Sequence, residues 1–135
     1  MTPETADYLD KARKNLNAAR KIASIGLADD VARKAYYAAF HAAEALIFER
    51  TGKIAKTHSG LRSEFARLAR GEPQIDRAFL SFLANAYQLK EISDYGVGPR
   101  AIITMADADD AVKNAARFIE CIATVLAEGP PQETQ

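Results

Sequence analysis

From Ala32 to Arg50 the chain reads ARKAYYAAFHAAEALIFER, and this stretch limits the fold more than any other. It holds seven alanines and neither glycine nor proline, a composition that propagates a helix well. Its small side chains let neighbouring helices approach closely. Tyr36, Phe40, Ala43 and Ile47 recur at helical spacing, as residues filling the middle of a bundle would. The rest of the chain must therefore supply helices to pack around it.

It does so with the same period. Leu9, Ala12, Leu16, Ala19 and Ala23 step by 3, 4, 3 and 4 along a first helix. The break SIGLADD follows, with Gly26 suited to a C-terminal cap and Asp29 or Asp30 to the next N-cap. The second helix should stop near Arg50, at Gly52. In KIAKTHSGL, Thr57 or Ser59 is placed to cap a short third helix carrying Leu61, Phe65 and Leu68, which Gly71 and Pro73 end. A fourth helix is expected from about Gln74 to Ser93, with Phe79, Phe82, Leu83 and Ala86 facing inward. DYGVGPRAIIT is the longest interruption, a loop within the domain. Beyond it Val112, Ala115, Ile119, Ile122 and Leu126 again step by 3, 4, 3 and 4, and Thr104 with Asp107 resembles a capping box. Strand signals are scarce, since no stretch alternates apolar and polar residues for long. The expectation is an all-α, up-and-down antiparallel bundle of four long helices and one short one. It forms a single domain over residues 1–127, followed by a disordered tail at 128–135.

Bulk chemistry narrows the function. Lys plus Arg and Asp plus Glu both number 18, so the chain as a whole has no polycation's attraction for nucleic acid. The charge is uneven, with five bases against three acids in residues 1–24 and two bases against six acids in residues 105–135. One cysteine, Cys121, excludes an internal disulfide and a cysteine-based zinc cluster. Two histidines without HExxH spacing give no metal site, and no glycine-rich phosphate loop or nucleophile elbow is present. The N-terminus has no secretory pattern, and no run approaches the length of a membrane span. The chain reads as a soluble cytoplasmic protein with no membrane partner and no cofactor.

Polar groups on inward faces are the candidates for chemistry. At 100° per residue, Arg33, Tyr37, His41 and Glu44 fall within about 80° of one another, flush against the apolar stripe. On the fourth helix Lys90 continues the register of Leu83 and Ala86, and Asp94 follows one turn later. An inward lysine needs an acceptor, because an unpaired buried charge costs several kcal/mol. Asp94, Glu44 or a tyrosine hydroxyl are the available partners. Two readings stay open. The groups form a seam that fixes packing, or Arg33, His41, Lys90 and Tyr95 converge on a phosphate-bearing ligand. His58 lies in the loop KTHSG beside Lys56, which with the amides opening the third helix is a further anion-binding candidate. Arg62, Arg67 and Arg70 read as the wet face of that helix.

Four features in order, ARKAYYAAFHAAEAL, KTHSG, LKEISDYG and a C-terminal amphipathic helix, resemble the HEPN domain over residues 6–127. The likeness is to its small stand-alone bacterial and archaeal members. It implies a helical bundle that commonly forms a homodimer, often encoded beside a minimal nucleotidyltransferase as a toxin–antitoxin pair. It also implies, for many members, metal-independent RNA cleavage by an Arg followed after four to six residues by a His. The chain departs from that motif: Lys90 stands where the Arg is expected, no His follows it, and Arg33–His41 and Arg50–His58 are each separated by seven residues. The resulting expectation is a toxin–antitoxin or nucleotidyltransferase-partner module that acts on or binds RNA or a nucleotide. Arg33, Lys56 and Lys90 would hold phosphate, Tyr37 and Tyr95 would stack or donate, Asp94 would orient Lys90, and His41 and His58 are the candidate acid–base groups. The alternative is a catalytically silent dimeric interaction protein whose seam only sets packing.

Overall fold

The computed structural model describes residues 1–130 and has the expected class: five α-helices and, among those residues, no strand. They are α1 (Pro3–Ala23), α2 (Ala28–Thr51), α3 (His58–Ala69), α4 (Ala78–Tyr95) and α5 (Met105–Glu128). α2 is the hub, packing on α1, α5, α4 and α3. Its alanines explain why: Ala35, Ala38, Ala39, Ala42, Ala43 and Ala45 are all fully buried, so neighbours on several sides reach its backbone. Larger side chains fill the gaps, with Leu46, Leu61, Phe65, Leu83, Phe118 and Ile122 in one continuous core.

Helix ends follow local chemistry at most boundaries. Gly52, in the left-handed region at φ 71, closes α2 by donating to the Phe48 carbonyl. Thr57 caps α3 through the Gly60 amide at 2.9 Å, and Thr104 with Asp107 forms a capping box on α5. Gly96 ends α4, where a Cβ would lie 2.7 Å from both Ala101 Cβ and the Ile92 carbonyl oxygen. No other residue fits that return of the chain.

Three boundaries differ from the sequence expectation. α2 begins after Leu27 without a side-chain cap, and Asp29 and Asp30 lie in its first turn, where they face the positive end of the helix dipole. α4 begins at Ala78 rather than near Gln74. The segment before it is held by tertiary bonds: Glu72 pairs with Arg50 at 3.0 Å, Ile75 is buried, and Cys121 Sγ donates to the Gln74 carbonyl. Asp76 then accepts from the Ala78 amide at 2.8 Å and starts the helix. At the C-terminus α5 continues through Glu128, and the Gly129 carbonyl accepts from Arg50 Nη2 at 3.1 Å. The remainder of the expected tail, residues 131–135, lies outside the described residues.

Candidate functional site

The polar seam forms where α4 crosses α2. Lys90, on the inward stripe of α4, is only 7% exposed and donates from Nζ to Asp94 Oδ2 at 2.9 Å, one turn along the same helix. Asp94 Oδ1 meets Arg33 Nε from α2 at 3.1 Å, so one carboxylate bridges two cations. Arg33 Nη2 also reaches Asp30 at 2.8 Å, and Ser93 Oγ donates to the Asp29 carbonyl, tying the end of α4 to the start of α2. The hydrogen bond to Asp94 raises the Lys90 pKa, and the same bond lowers that of Asp94. Both shifts favour the charged pair. Tyr95 follows on α4 with 75% of its surface exposed, and the Lys90 ammonium lies 5.9 Å from its ring centre.

A second cluster lies alongside. Tyr36, with no exposed surface, places its hydroxyl 2.6 Å from His58 Nδ1. Burial pushes the Tyr36 hydroxyl well above the ordinary tyrosine range, so it keeps its proton. That bond occupies His58 Nδ1 and holds the imidazole against the hydroxyl. Burial, then the nearby Lys90 charge, lowers the His58 pKa. Tyr87 of α4 packs against both rings, 5.2 Å from His58 and 5.6 Å from Tyr36, and the Arg62 guanidinium lies 4.4 Å from the Tyr87 ring centre. Glu91, one turn beyond Tyr87, raises its hydroxyl pKa through a hydrogen bond.

His41 lies apart from both. Its Nδ1 donates to Glu44 Oε1 at 2.6 Å, because a carboxylate only accepts, and its Nε2 is left as the free ring nitrogen. Tyr37 stands between the two imidazoles, with its ring centre 6.2 Å from that of His41 and 6.4 Å from that of His58.

The structure thus brings Arg33, Lys90, Asp94 and Tyr95 together, with Tyr37 close enough to act on the charge of Lys90. It does not bring Glu44 to Lys90. Lys56 is exposed before α3 and, among the described residues, forms no ion pair. His58 is no loop histidine: it opens α3 and is half buried. Arg62 is not on the wet face of α3 but folds over Tyr87. Sequence reasoning missed Tyr36, Tyr87, Arg62 and Glu91 as neighbours of His58. The usable signal was Tyr36 itself, since a tyrosine on a fully inward stripe needs a hydrogen-bond partner. Among the described residues no group of His, Cys, Asp and Glu side chains is arranged to hold a metal, and no helix is long and apolar enough to cross a membrane.

An all-helical bundle with a central alanine-rich helix and a tyrosine–histidine–lysine seam defines the class of molecule. The family model of the HEPN domain matches residues 5–125, and the chain belongs to that family. It is 31% identical over 128 residues to the UPF0332 protein glr0978 of Gloeobacter violaceus, covering 95% of this chain and 100% of that one. It is 28% identical over 125 residues to a Methanocaldococcus jannaschii protein named "Putative toxin MJ0605", covering 93% and 90% of the two chains. The crystal structure of TT1696 from Thermus thermophilus has the same fold, with a TM-score of 0.77 at 22% identity over 91% of this chain and 98% of that one.

Proposed function

We propose that the chain is the HEPN component of a toxin–antitoxin type pair, and that it binds RNA or a nucleotide at the mouth of the α2–α4 seam. The observation that carries this reading is Tyr95. Its largely exposed ring stands beside the Lys90 ammonium, while Arg33, bridged to Lys90 through Asp94, keeps 38% of its side chain exposed. A base stacked on that ring would bring its phosphate toward Arg33, the pairing that serves single-stranded nucleic acids elsewhere. The likeness to a protein named as a toxin supports the biological setting.

Binding is the better supported half of the reading. Asp30 and Asp94 already offset Arg33 and Lys90, so incoming phosphate gains from the seam only by competing with carboxylates. Both histidines spend Nδ1 on internal hydrogen bonds. If RNA is cleaved, His41 is the better placed group, since Glu44 holds its tautomer and leaves Nε2 to move a proton at a 2′-hydroxyl.

The test is fluorescence anisotropy with short single-stranded RNA and with mononucleotides across a salt series. Wild-type binding that weakens with salt, and is lost about tenfold or more in Tyr95→Ala and Arg33→Ala, supports the site. Equal binding by all three proteins removes it. Parallel incubation with RNA in EDTA separates binding from cleavage: intact RNA leaves a binding module, and cleavage lost in His41→Ala makes it a ribonuclease. The second reading, a silent interaction protein, draws on the same charge compensation. No ligand binding by the wild type would favour it.

A further inference from the structure

Two clefts open between α5 and its neighbours, and their chemistry differs. The larger, a groove of about 670 Å³ between α4 and α5, has an apolar floor that includes Phe82, Leu89 and Ile92, with Asp110 and Arg117 on its rim. The smaller, about 200 Å³ between α1 and α5, is lined from α1 by Arg13, Asn17 and Arg20. These three stand at i, i+4 and i+7, so one helix edge presents a guanidinium, an amide and a second guanidinium on successive turns. Leu16, Ala116 and Ile119 close the floor beneath them.

The cations of this cleft are unspent. Among the described residues Arg20 forms no ion pair, and Arg13 meets only Glu120, at 3.9 Å, too far for a hydrogen bond. Arg33, Arg50 and Arg67, by contrast, are each hydrogen-bonded to a carboxylate. α1 and α5 run antiparallel, since Arg13 faces Glu120 while Ala19 packs with Ala108. Lys113 precedes Glu120 by the same seven residues that separate Arg13 from Arg20, so this register sets Lys113 level with Arg20. Lys113 is exposed, lies one turn from Ala116 of the floor and, among the described residues, forms no ion pair. Three cations therefore surround the cleft against one acid. The field extends along α1, whose residues 11–21 hold five bases and no acid. Offsetting the helix dipole accounts for Arg20 and Lys21 in the last turn, but not for Arg13 two turns earlier.

We infer that the α1–α5 cleft binds a phosphate group, free or as the monoester of a small molecule, between Arg13, Arg20 and Lys113, with the Asn17 amide as a further donor. A phosphate offers several oxygens and up to two charges to these groups, where one carboxylate would engage a single guanidinium fork. Arg13 turns to it from Glu120 at little cost, because that pair is exposed on both sides. The cleft is smaller than the roughly 300–1,000 Å³ usual for drug-sized ligands, which restricts whatever the phosphate carries to a few atoms. The site is built by other helices than the seam, and the inference does not rest on ligand binding there.

Isothermal titration calorimetry of the full chain tests it, with inorganic phosphate and with glycerol 3-phosphate, and with sodium chloride at matched ionic strength as the control. One phosphate should bind per cleft. Equal affinities would show that the phosphate group alone is recognised, and tighter glycerol 3-phosphate would show that the floor holds the ester. Arg13→Gln and Arg20→Gln should each weaken binding about tenfold, through the loss of a charge-assisted hydrogen bond. Glu120→Gln should tighten it severalfold, because the opposing acid is gone, and a merely damaged protein would not show that gain. All three substitutions are on the surface, and thermal melts check that the variants stay folded. A wild type with no saturable heat up to about 10 mM of either phosphate overturns the inference. So do heats that chloride reproduces, arginine variants that bind like the wild type, or a Glu120→Gln that binds no tighter. RNA anisotropy on the same proteins keeps the two proposals apart. RNA binding lost in Arg20→Gln, with neither phosphate bound, would assign the cleft to nucleic acid and overturn it. Phosphate bound in the cleft with no RNA bound anywhere leaves it standing and removes the seam reading.

Discussion

The two sides of α4 solve opposite problems. Toward α2 the helix buries charge, and every charge is answered inside the chain: Lys90 by Asp94, and Asp94 by Arg33, which Asp30 completes. Toward α5 it presents apolar side chains, and Leu89 and Ile92 are only partly covered. The difference separates two kinds of specificity. The seam sets how this helix registers on its neighbour, because sliding α4 by one turn would part Asp94 from Arg33 and Ser93 from the Asp29 carbonyl. The groove gives no such internal register and leaves that choice to whatever covers it.

Breaking the bridge should have the largest effect. Asp94→Ala leaves Lys90 buried without its hydrogen-bonded acceptor and Arg33 without its ion pair to α4, at a cost of about 3 kcal/mol. Urea denaturation measures it. The contrast sharpens with the double substitution Lys90→Met, Asp94→Ala, which removes the buried charge as well and should recover most of that loss. A double variant no more stable than Asp94→Ala would mean that the seam contributes packing rather than register.

Next in size is Tyr36→Phe. It keeps the ring against Tyr87 and Phe40 but removes the hydroxyl that bonds His58 Nδ1, and a buried polar atom left alone costs about 1–2 kcal/mol. The same substitution should alter the chemical shifts of His58 by removing the hydrogen-bond partner of Nδ1. Those of His41, held by Glu44, should stay where they are.

The different legibility of these regions follows from sequence distance. The helices were readable because α1, α2 and α5 repeat a 3–4 step over at least three turns, and because Gly52, Thr57 and Thr104 act within their own turn. The Lys90–Asp94 pair was readable for the same reason, being four residues apart on one helix. The start of α4 was not. Nothing local in QIDR forbids a helix, and the residues holding that segment irregular are Arg50 and Cys121, far away in the chain. The His58 site was hidden in the same way, since Tyr36 and Tyr87 reach it from two other helices. Lys56 stands exposed in the connection before α3.

Acid should reach the His58 cluster before the bridge. The His58 pKa is lower in the folded chain than in the unfolded one, so the unfolded state takes up its proton first. Its contribution is complete above the ordinary histidine value of about 6.5 and is lost as pH falls below it. Asp94 is also lowered, but from a carboxylate starting point, so its contribution survives until pH falls below about 4. Lys90 is raised, and its share is lost only above about 10.5. Urea midpoints should therefore drop in two steps on acidification. His58→Gln should remove the upper step and leave the lower one.

The groove face should respond least when folding alone is measured. Asp110→Lys and Arg117→Glu change exposed side chains that form no ion pair among the described residues, so each should shift the stability of the monomer by no more than about 0.5 kcal/mol. The comparison turns on that small number. A seam variant such as Asp94→Ala should lose stability at every protein concentration, because its broken contact lies within the chain. A groove variant should keep the melting temperature of the wild type, because its exposed side chain forms no ion pair within the described residues. Melts at two concentrations about a hundredfold apart separate the two. A concentration-independent drop in Asp110→Lys would place Asp110 in the fold of the single chain and erase the distinction between the two faces of α4.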